Sequence, residues 1–307
     1  MTLPWRVPYH RRVTVVEPQP SPSSPSSPAA PAWDDELLRD PHHVADKRQR
    51  VRRMFAAIAP SYDLNNRLHS LQMDQRWRRT AVKLAQLKPT DRVVDVACGT
   101  GDLALEFARQ IRRALIGDSR MMEWLWEHEI PKQVIGIDFT FEMLPIARHK
   151  TPKIGWAGTT DGLDFVDGKF THNTWVNGDA QTLPLPDASA DVVSIAFGIR
   201  NVQDPLAALR EFHRVLRPGG RVIVLEFSLP TNRVLRGLYN FYFRQILPRT
   251  ATLISGDKTG AYKYLPESVN TFIGREQMTA MMRDAGFTDA RQFPLTFGVC
   301  VCYRGVK

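Results

Sequence analysis

The sequence predicts an α/β fold, in which a mostly parallel β-sheet carries helices on both faces. Helical and strand patterns alternate along the chain from about residue 34 onward. The strand segments are short apolar runs, which is typical of strands that are buried on both faces of a sheet. The first strand passes through a glycine-containing loop into a helix, as in the opening of a βαβ unit.

The elements follow one another in a regular order. We expect helices over residues 34–57, 70–86, 102–113, 142–149, 204–216 and 274–285. We expect strands over residues 92–97, 134–138, 173–177, 191–196, 220–227, 289–295 and 298–304. Pro218, Gly219 and Gly220 form a helix stop and a turn that leads into the apolar strand "RVIVLEF".

The N-terminal part of the chain has a different composition. Residues 18–32 are a Pro/Ser/Ala tract that cannot build a core, and the preceding segment is basic and broken by prolines. We therefore expect a disordered tail over residues 1–33 and one folded domain over residues 34–307. The basic segment satisfies only part of the pattern of a mitochondrial transit peptide, because it lacks an amphipathic helical stripe.

Two segments look inserted into the domain, near residues 111–133 and 153–172. The first contains a cluster of large apolar side chains, which predicts either a partner surface or an extra helix that packs on the domain. The members of this cluster are Met121, Met122, Trp124, Leu125 and Trp126.

Composition and charge narrow the functional classes. No apolar run reaches the length of about 18 residues that a transmembrane helix needs. The net charge of +9 and the pI near 9.7 suit an anionic partner such as nucleic acid or a lipid surface, and they also suit a basic tail with solvated arginines. Cys98, Cys300 and Cys302 are odd in number and lack paired C-x-x-C spacing, which argues against disulfides or a zinc site and fits a reducing compartment.

The segment "VVDVACGTGD", from Val93 to Asp102, indicates which kind of cofactor the protein binds. Gly99, Gly101 and Ala104 satisfy the dinucleotide spacing G-x-G-x-x-G/A. A pyrophosphate would rest on the first amides of the following helix, where the Asp102 carboxylate would repel it. The loop therefore favours a cofactor that has a cationic centre and no phosphates, such as S-adenosylmethionine. In the alternative interpretation, Asp102 is simply a helix-terminal charge.

Two later carboxylates extend this site. Asp138 ends the second strand, where its side chain can accept hydrogen bonds from both hydroxyls of a ribose. Asp179 and Ala180 follow the third strand, where a carboxylate can accept from an adenine amino group. The alternative role for Asp179 is a turn in which its side chain bonds its own backbone.

At this point the chain resembles a family. Six segments look like those of the C-methyltransferases of ubiquinone and menaquinone biosynthesis. They are "DVACGTGD", "GIDFTFEML", "GDAQTLPLPD", "AFGIRNV", "ALREFHRVLRPGGRVIVLEFS" and "YKYLPESV". The resemblance extends from about Met54 to Gly305. The glycine loop and "LRPGG" are shared by many class I methyltransferases, whereas "FGIRNV", "VLEFS" and "YLPESV" in this order are much more specific.

The resemblance implies a Rossmann-like class I methyltransferase domain with a seven-stranded sheet, over residues 34–307. It also implies methyl transfer from S-adenosylmethionine to a ring carbon of a polyprenyl quinol, with a demethylmenaquinol preferred over a benzoquinol. On the family pattern, the cofactor contacts are Thr100, Asp138, Asp179 and Ala180, beside Gly99 and Gly101 of the loop. Many members have serine where this chain has Ala196, so this chain lacks one such contact.

Methylation of a ring carbon requires that the quinol be activated by the protein. A ring carbon becomes nucleophilic when a neighbouring hydroxyl loses its proton, so the site needs a proton acceptor or a cation that favours phenolate. Arg200 and Asn201, beyond the fourth strand, are the candidate catalytic residues. The structural alternative for Arg200 is an ion pair with a lid residue such as Asp63.

Partners and location follow from these expectations. We expect a quinol substrate, no nucleic acid, and a cytoplasmic protein that contacts the inner face of the membrane through residues 233–249, with the mitochondrial matrix as the alternative. The stretch 233–249 equally fits a helix with aromatic side chains in the core. A homodimer or a quinone-biosynthesis complex would be compatible with the sequence. The competing functions are RNA or protein methylation, and a non-catalytic cofactor-binding role in an assembly.

Overall fold

The computed structural model describes residues 31–116, 134–151 and 174–307. The N-terminal tail up to residue 30, the apolar cluster at residues 121–126 and the second inserted segment lie outside the described residues. The start of the first inserted segment is not an insertion, because the helix that begins at Asp102 continues through residue 111 as far as Ile116.

The sheet has seven strands in the order β3-β2-β1-β4-β5-β7-β6. Strands β1 to β5 are parallel, and β7 pairs antiparallel with both β5 and β6. The strands are β1 (Val93–Val96), β2 (Val134–Asp138), β3 (Thr174–Asn177), β4 (Ala190–Ala196), β5 (Leu216–Phe227), β6 (Thr288–Leu295) and β7 (Cys300–Val306). This arrangement confirms the seven-stranded, mostly parallel sheet that the sequence predicted. Because the strand order reverses between β1 and β4, a ligand crevice is expected at their carboxyl ends.

The described α-helices are numbered here in chain order. They are α1 (Lys47–Ile58), α2 (Tyr62–His69), α3 (Met73–Leu84), α4 (Asp102–Ile116), α5 (Leu144–Lys150), α6 (Pro205–Val215), α7 (Arg233–Phe241), α8 (Leu247–Ser255), α9 (Ala261–Asn270) and α10 (Arg275–Asp284). A wide helical turn at Tyr242–Ile246 joins α7 to α8. None of the helices in these ranges is long and apolar enough to cross a membrane.

Helices cover both faces of the sheet, because both faces are apolar. One core lies against α6 and α10, with Phe212 and Met282 fully buried in it. The opposite core lies against α3 and α4 and contains Trp77 and Phe107. A third core joins α1, α8 and α9 into a helical cap.

The elements depart from the expectations in four places. The helix expected over 34–57 is a short turn at Leu37–Arg39 followed by α1, and the helix expected over 70–86 begins only at Met73. The sequence patterns also missed α2, α8 and α9, since these cap helices pack on one another rather than on the sheet. The expected turn at 218–220 is an irregular part of β5 itself.

The tail boundary at residue 33 was also placed too late. Trp33 is 1% exposed, stacks on Tyr264 with ring centroids 4.4 Å apart, and donates its backbone N–H to the Thr259 carbonyl at 3.1 Å. Ala32 is equally buried, and its carbonyl accepts from Arg50 at 2.9 Å. The described fold therefore includes the residues just before Asp34.

Candidate active site

The glycine loop leaves β1 with its backbone bent toward the crevice. Gly99 and Gly101 both have positive φ, +54° and +84°, which only glycine adopts without strain. A side chain at Gly99 would meet nothing closer than 4.0 Å, so this face of the loop is open for a ligand. A side chain at Gly101 would overlap the Trp175 indole, so this glycine serves the packing of α4 against β3.

Asp138 lies at the carboxyl end of β2, where the sequence placed it. Its carboxylate accepts from the backbone N–H of Gly99 and from that of Thr140, both at 2.7 Å. The residue is only 7% exposed, and burial raises the pKa of its carboxyl to about 6, although the Thr140 and Gly99 N–H groups oppose the rise. Asp138 therefore fixes the glycine loop and still has lone pairs for a ligand.

Asp179 follows β3 and forms the turn that the alternative interpretation described. Its Oδ1 accepts from the Gln181 backbone N–H at 2.9 Å, and its Oδ2 forms an ion pair with Arg48 of α1 at 2.8 Å. The Arg48 guanidinium also lies over the Phe139 ring, 4.4 Å from its centroid. Asp179 thus holds α1 across the crevice, next to the buried Ala180.

A cleft runs along these carboxyl ends. It is lined by residues of α1, by the ends of β2 and β4, and by the loops that follow β1, β3 and β4, among them Gly99, Asp138, Asp179, Ala180, Ala196 and Asn201. In the described part of the lining, Arg48 is the sole cation, and Asp179 already neutralises it. The open glycine backbone and the Asp138 carboxylate suit a ribose, and this charge balance does not suit a pyrophosphate. The cleft therefore fits a nucleoside cofactor without phosphates.

Thr100 and Asp102 face away from this cleft, into a polar cluster. The Lys150 ammonium at the end of α5 donates to the Asp63 carboxylate at 2.8 Å, to the Thr100 hydroxyl at 3.1 Å, and to Asp102. The Thr100 hydroxyl in turn donates to Asp63 at 2.5 Å. Burial alone would raise the pKa of Asp102, but the positive charges of Arg78 and Lys150 lower it.

This cluster shows that Asp102 does not repel phosphates from the cofactor cleft, as the sequence had suggested. The sequence suggested that Asp102 makes the cofactor pocket acidic, whereas Lys150 neutralises it and neither residue lines the cleft. The cluster ties α2 to the glycine loop, because Asp63 belongs to α2. No sequence signal pointed to Lys150, since a lysine at a helix end is usually solvated.

Arg200 lies in a short helical turn after β4 and is 4% exposed. Its Nη1 donates to Oε1 of Glu226 and to the Phe197 carbonyl, each at 2.7 Å. The expected alternative partner, Asp63, is wrong, because Asp63 pairs with Lys150. Glu226 lies within the motif "VLEFS", but the sequence alone gave no reason to assign it a role. Burial raises the pKa of Glu226, and the charge of Arg200 opposes that rise.

Asn201 stands between the cleft and the interior. Its side-chain N–H donates to the Phe197 carbonyl at 3.2 Å, and its Oδ1 accepts from the Tyr264 hydroxyl at 2.9 Å. Asn201 lines the cleft, whereas Arg200 lines a second, adjoining cavity. The structure thus brings the two predicted catalytic residues together on one turn, but they face different spaces.

The second cavity encloses about 1430 Å³, including its open mouth, between the sheet edge and the helical cap. Its walls are mostly apolar and aromatic, with Trp77, Phe227, Tyr239, Phe243 and Tyr264 among them. Phe55, Tyr62 and Phe197 line both spaces, so the cavity and the cleft adjoin. Tyr62 and His69, at the two ends of α2, also line this cavity.

The nucleoside cleft lies at the switch point of a sheet in which β7 is antiparallel, and an apolar cavity adjoins it. Together these features define an S-adenosylmethionine-dependent methyltransferase of class I. An S-adenosylmethionine-dependent methyltransferase from Thermotoga maritima shares the fold, with a TM-score of 0.51 and 20% identity over 84% of this chain and 99% of that one.

Sequence comparison gives the family. The model of the ubiE/COQ5 methyltransferase family matches residues 43–307, so this chain belongs to that family. The ubiquinone/menaquinone biosynthesis C-methyltransferase UbiE of Geobacter sp. strain M21 is 40% identical, covering 86% of this chain and 99% of the relative. The demethylmenaquinone methyltransferase of Thermus thermophilus is 43% identical, covering 82% and 99%. The resemblance, the enzyme class and the cofactor predicted from the sequence are confirmed.

Proposed function

We propose that this enzyme C-methylates a polyprenyl quinol in respiratory quinone biosynthesis, with demethylmenaquinol as its substrate and the 2-polyprenyl-6-methoxy-benzoquinol step as a second activity. The apolar cavity beside the cofactor cleft carries the proposal, since a quinol ring and the first units of its tail need an apolar enclosure. The names of the relatives from Geobacter and Thermus support the same substrate class.

The cleft residues hold the cofactor in this proposal. Asp138 accepts from the ribose hydroxyls, the Gly99 backbone allows close approach, and Asp179 and Ala180 border the adenine. Thr100 and Gly101 support the cofactor loop indirectly. Thr100 does so through the polar cluster, and Gly101 does so through the packing of α4. The bound S-adenosylmethionine supplies an electrophilic methyl group on a sulfonium, so the protein must mainly orient the acceptor and exclude water.

Arg200 and Asn201 prepare the acceptor. A ring hydroxyl loses its proton, and the neighbouring ring carbon forms a bond to the methyl carbon as the bond from that methyl to the sulfonium sulfur breaks and leaves a neutral thioether. The methylated ring carbon then loses its hydrogen as a proton, and the ring oxygen takes up a proton again to give the quinol. The Arg200 guanidinium is a poor base and stays charged, so it stabilises the phenolate. The proton goes to a water or to a carboxylate, and Glu226 is the carboxylate that Arg200 holds. Asn201 orients the ring hydroxyl.

This function can be tested with purified protein and two short-tail substrates, a demethylnaphthoquinol and a methoxybenzoquinol. We expect one methyl group to be added to the ring of the naphthoquinol at the greater kcat/KM. Quinone analysis of a deletion strain, which should accumulate the demethylated quinone, tests the same assignment in the cell. Methylation of RNA or protein but of neither quinol would support the competing function, which the positive charge permits and the apolar cavity disfavours.

We also propose that α7 and its neighbours contact the membrane. Val234, Leu238 and Phe241 are 71%, 64% and 62% exposed on α7, while Phe243 on the next turn is buried. Further apolar side chains on α2 and α8 and beside them are exposed, namely Leu64, Leu68, Leu71 and Leu253. Exposed arginines such as Arg233 and Arg249 accompany them. An apolar face beside basic residues is the pattern of a helix that lies at a lipid surface.

Flotation with phosphatidylglycerol-containing vesicles tests this contact. The full-length protein should co-float at low salt, and the double substitution Leu238→Glu and Phe241→Glu should abolish co-flotation, since it places charge on the apolar face. Absence of co-flotation of the unmodified enzyme, together with full activity on a short-tail quinol, would contradict the membrane proposal and leave the methylation proposal intact.

A further inference from the structure

Helix α3 places an ion pair in the wall of the apolar cavity. Asp74 and Arg78 stand one helical turn apart, their side chains are 5% and 8% exposed, and Arg78 Nη1 lies 2.9 Å from Asp74 Oδ2. The Ser70 hydroxyl donates to Asp74 Oδ1 at 2.9 Å, and the Gln75 amide donates to Oδ2 at 3.0 Å. Asp74 and Arg78 both line the cavity, far along the chain from Arg200.

Stability alone does not explain this pair. Removing two charges from water is costly, and apolar residues of similar volume usually serve a core as well or better. The pair is also incompletely satisfied. Arg78 Nε is buried and has no hydrogen-bond partner within the described ranges. Of the roughly four acceptor positions of a carboxylate, Asp74 uses three. One donor and one acceptor therefore remain for a ligand in the cavity.

The pair has a fixed relation to Arg200. The Phe197 and Phe227 rings lie side by side with centroids 4.5 Å apart. The Arg78 guanidinium carbon is 5.2 Å from the Phe197 centroid, and that of Arg200 is 5.4 Å from the Phe227 centroid. The cavity thus has two separate polar points, each next to one ring of the same aromatic pair. A ligand with an apolar body and two polar atoms at a fixed separation suits such a site.

We propose that Asp74 and Arg78 bind the second ring hydroxyl of the quinol, the one para to the hydroxyl that ionises at Arg200. Asp74 accepts the hydrogen bond of this hydroxyl, and Arg78 Nε donates to its oxygen. This inference rests on the proposed quinol methylation. No bond forms or breaks at the pair, so Asp74 and Arg78 are positioning residues that turn the reacting carbon toward the cofactor cleft.

The test compares two substrates with the same short tail. One is the 1,4-dihydroxynaphthalene acceptor, and the other is the 1-naphthol analogue that lacks the distal hydroxyl. The unmodified enzyme should prefer the diol by about tenfold or more in kcat/KM, as one hydrogen bond to a charged group implies. Asp74→Asn should shrink this preference to about threefold or less, because the diol loses more than the analogue does when the charged acceptor is removed.

Two further variants sharpen the comparison. Arg78→Lys keeps the ion pair but removes Nε, so it should also reduce the preference, and it serves if Asp74→Asn fails to fold. Arg79→Met removes an exposed charge from the same helix and should keep the preference. Equal losses on both substrates in the pair variants, or no preference in the unmodified enzyme, would overturn the proposal. If the unmodified enzyme binds S-adenosylmethionine but methylates neither substrate, the proposed function itself fails.

Discussion

Arg200 and Glu226 form a buried ion pair that links the turn after β4 to β5, with side chains only 4% and 2% exposed. The Phe197 carbonyl shares the same guanidinium, and Phe197 itself has positive φ, +57°, immediately after β4. Such backbone strain in a residue other than glycine is concentrated at functional sites. This turn fixes the Arg200 guanidinium, paired with Glu226, in the wall of the apolar cavity.

The first prediction concerns that charge. Arg200→Lys keeps the charge but loses the planar fork, so kcat should fall roughly 100-fold while the Kd for S-adenosylmethionine holds. Steady-state kinetics and calorimetry measure the two quantities. Arg200→Ala is a poor test by itself, since it leaves Glu226 buried without its partner at a cost of about 3–5 kcal/mol. If the double variant Arg200→Met with Glu226→Gln folds and retains kcat, the pair is structural.

Asp138 should control the affinity for the cofactor. Asp138→Ala removes hydrogen bonds to both ribose hydroxyls, which should weaken binding of S-adenosylmethionine by about 2–4 kcal/mol. Calorimetry measures the change, and Asp187→Ala, at an exposed carboxylate outside the cleft, is the control. Unchanged affinity in Asp138→Ala would remove Asp138 from the cofactor site.

The raised pKa of Asp138 gives the binding a pH dependence. The carboxyl must be ionised to accept hydrogen bonds from both ribose hydroxyls, and its pKa of about 6 means that it holds a proton below that pH. Affinity should therefore increase as pH rises through about 6 and level off above it. Titrations in buffers on either side of that value measure the profile. Asp138→Asn, which cannot ionise, should flatten the profile, and an identical slope in this variant would assign the titration to another group.

Lys150 should hold α2 over the cofactor loop. Lys150→Met leaves Asp63 and Asp102 without their shared cation, so we expect a lower melting temperature and a several-fold higher Kd for S-adenosylmethionine. The control is Lys263→Met, because the 3.3 Å pair of Lys263 with Asp35 is exposed and contributes little. Equal melting temperatures and affinities for the two variants would show that the cluster does not position the loop.

The N-terminal boundary can be tested by truncation. A chain that starts at Ala32 should keep the melting temperature of the full-length protein. The composition of the tract before Ala32 predicts that this tract cannot offset the entropy lost on ordering. A chain that starts at Asp34 loses the buried Trp33, at a cost of about 3–5 kcal/mol, so its melting temperature should fall by roughly 10 °C. Thermal denaturation measures both. A large drop already at the Ala32 start would show that the tract contributes to the fold.

The sequence by itself determined the sheet and the cofactor crevice. Apolar runs specify strands, and the carboxyl ends of parallel strands meet at one edge, so local pattern is enough to place Gly99, Asp138 and Ala180 together. The same local logic correctly bounded β2. Local pattern failed to predict the helical cap. The helices there, among them α2 and α9, are stabilised by packing on the other parts of the cap rather than by a strong apolar periodicity of their own.

Only the tertiary structure decided the partners of the charged residues. Lys150 meets Asp63 from 87 positions away, and Arg200 meets Glu226 from 26 positions away. Nothing local in the chain selects these pairs, because a charge interacts with whatever the fold brings within a few ångströms of it. For Asp74 and Arg78, the tertiary structure decided the surroundings of the pair rather than the partners. Their spacing specifies a helical ion pair, but the packing of α3 against the sheet edge placed that pair in an apolar cavity.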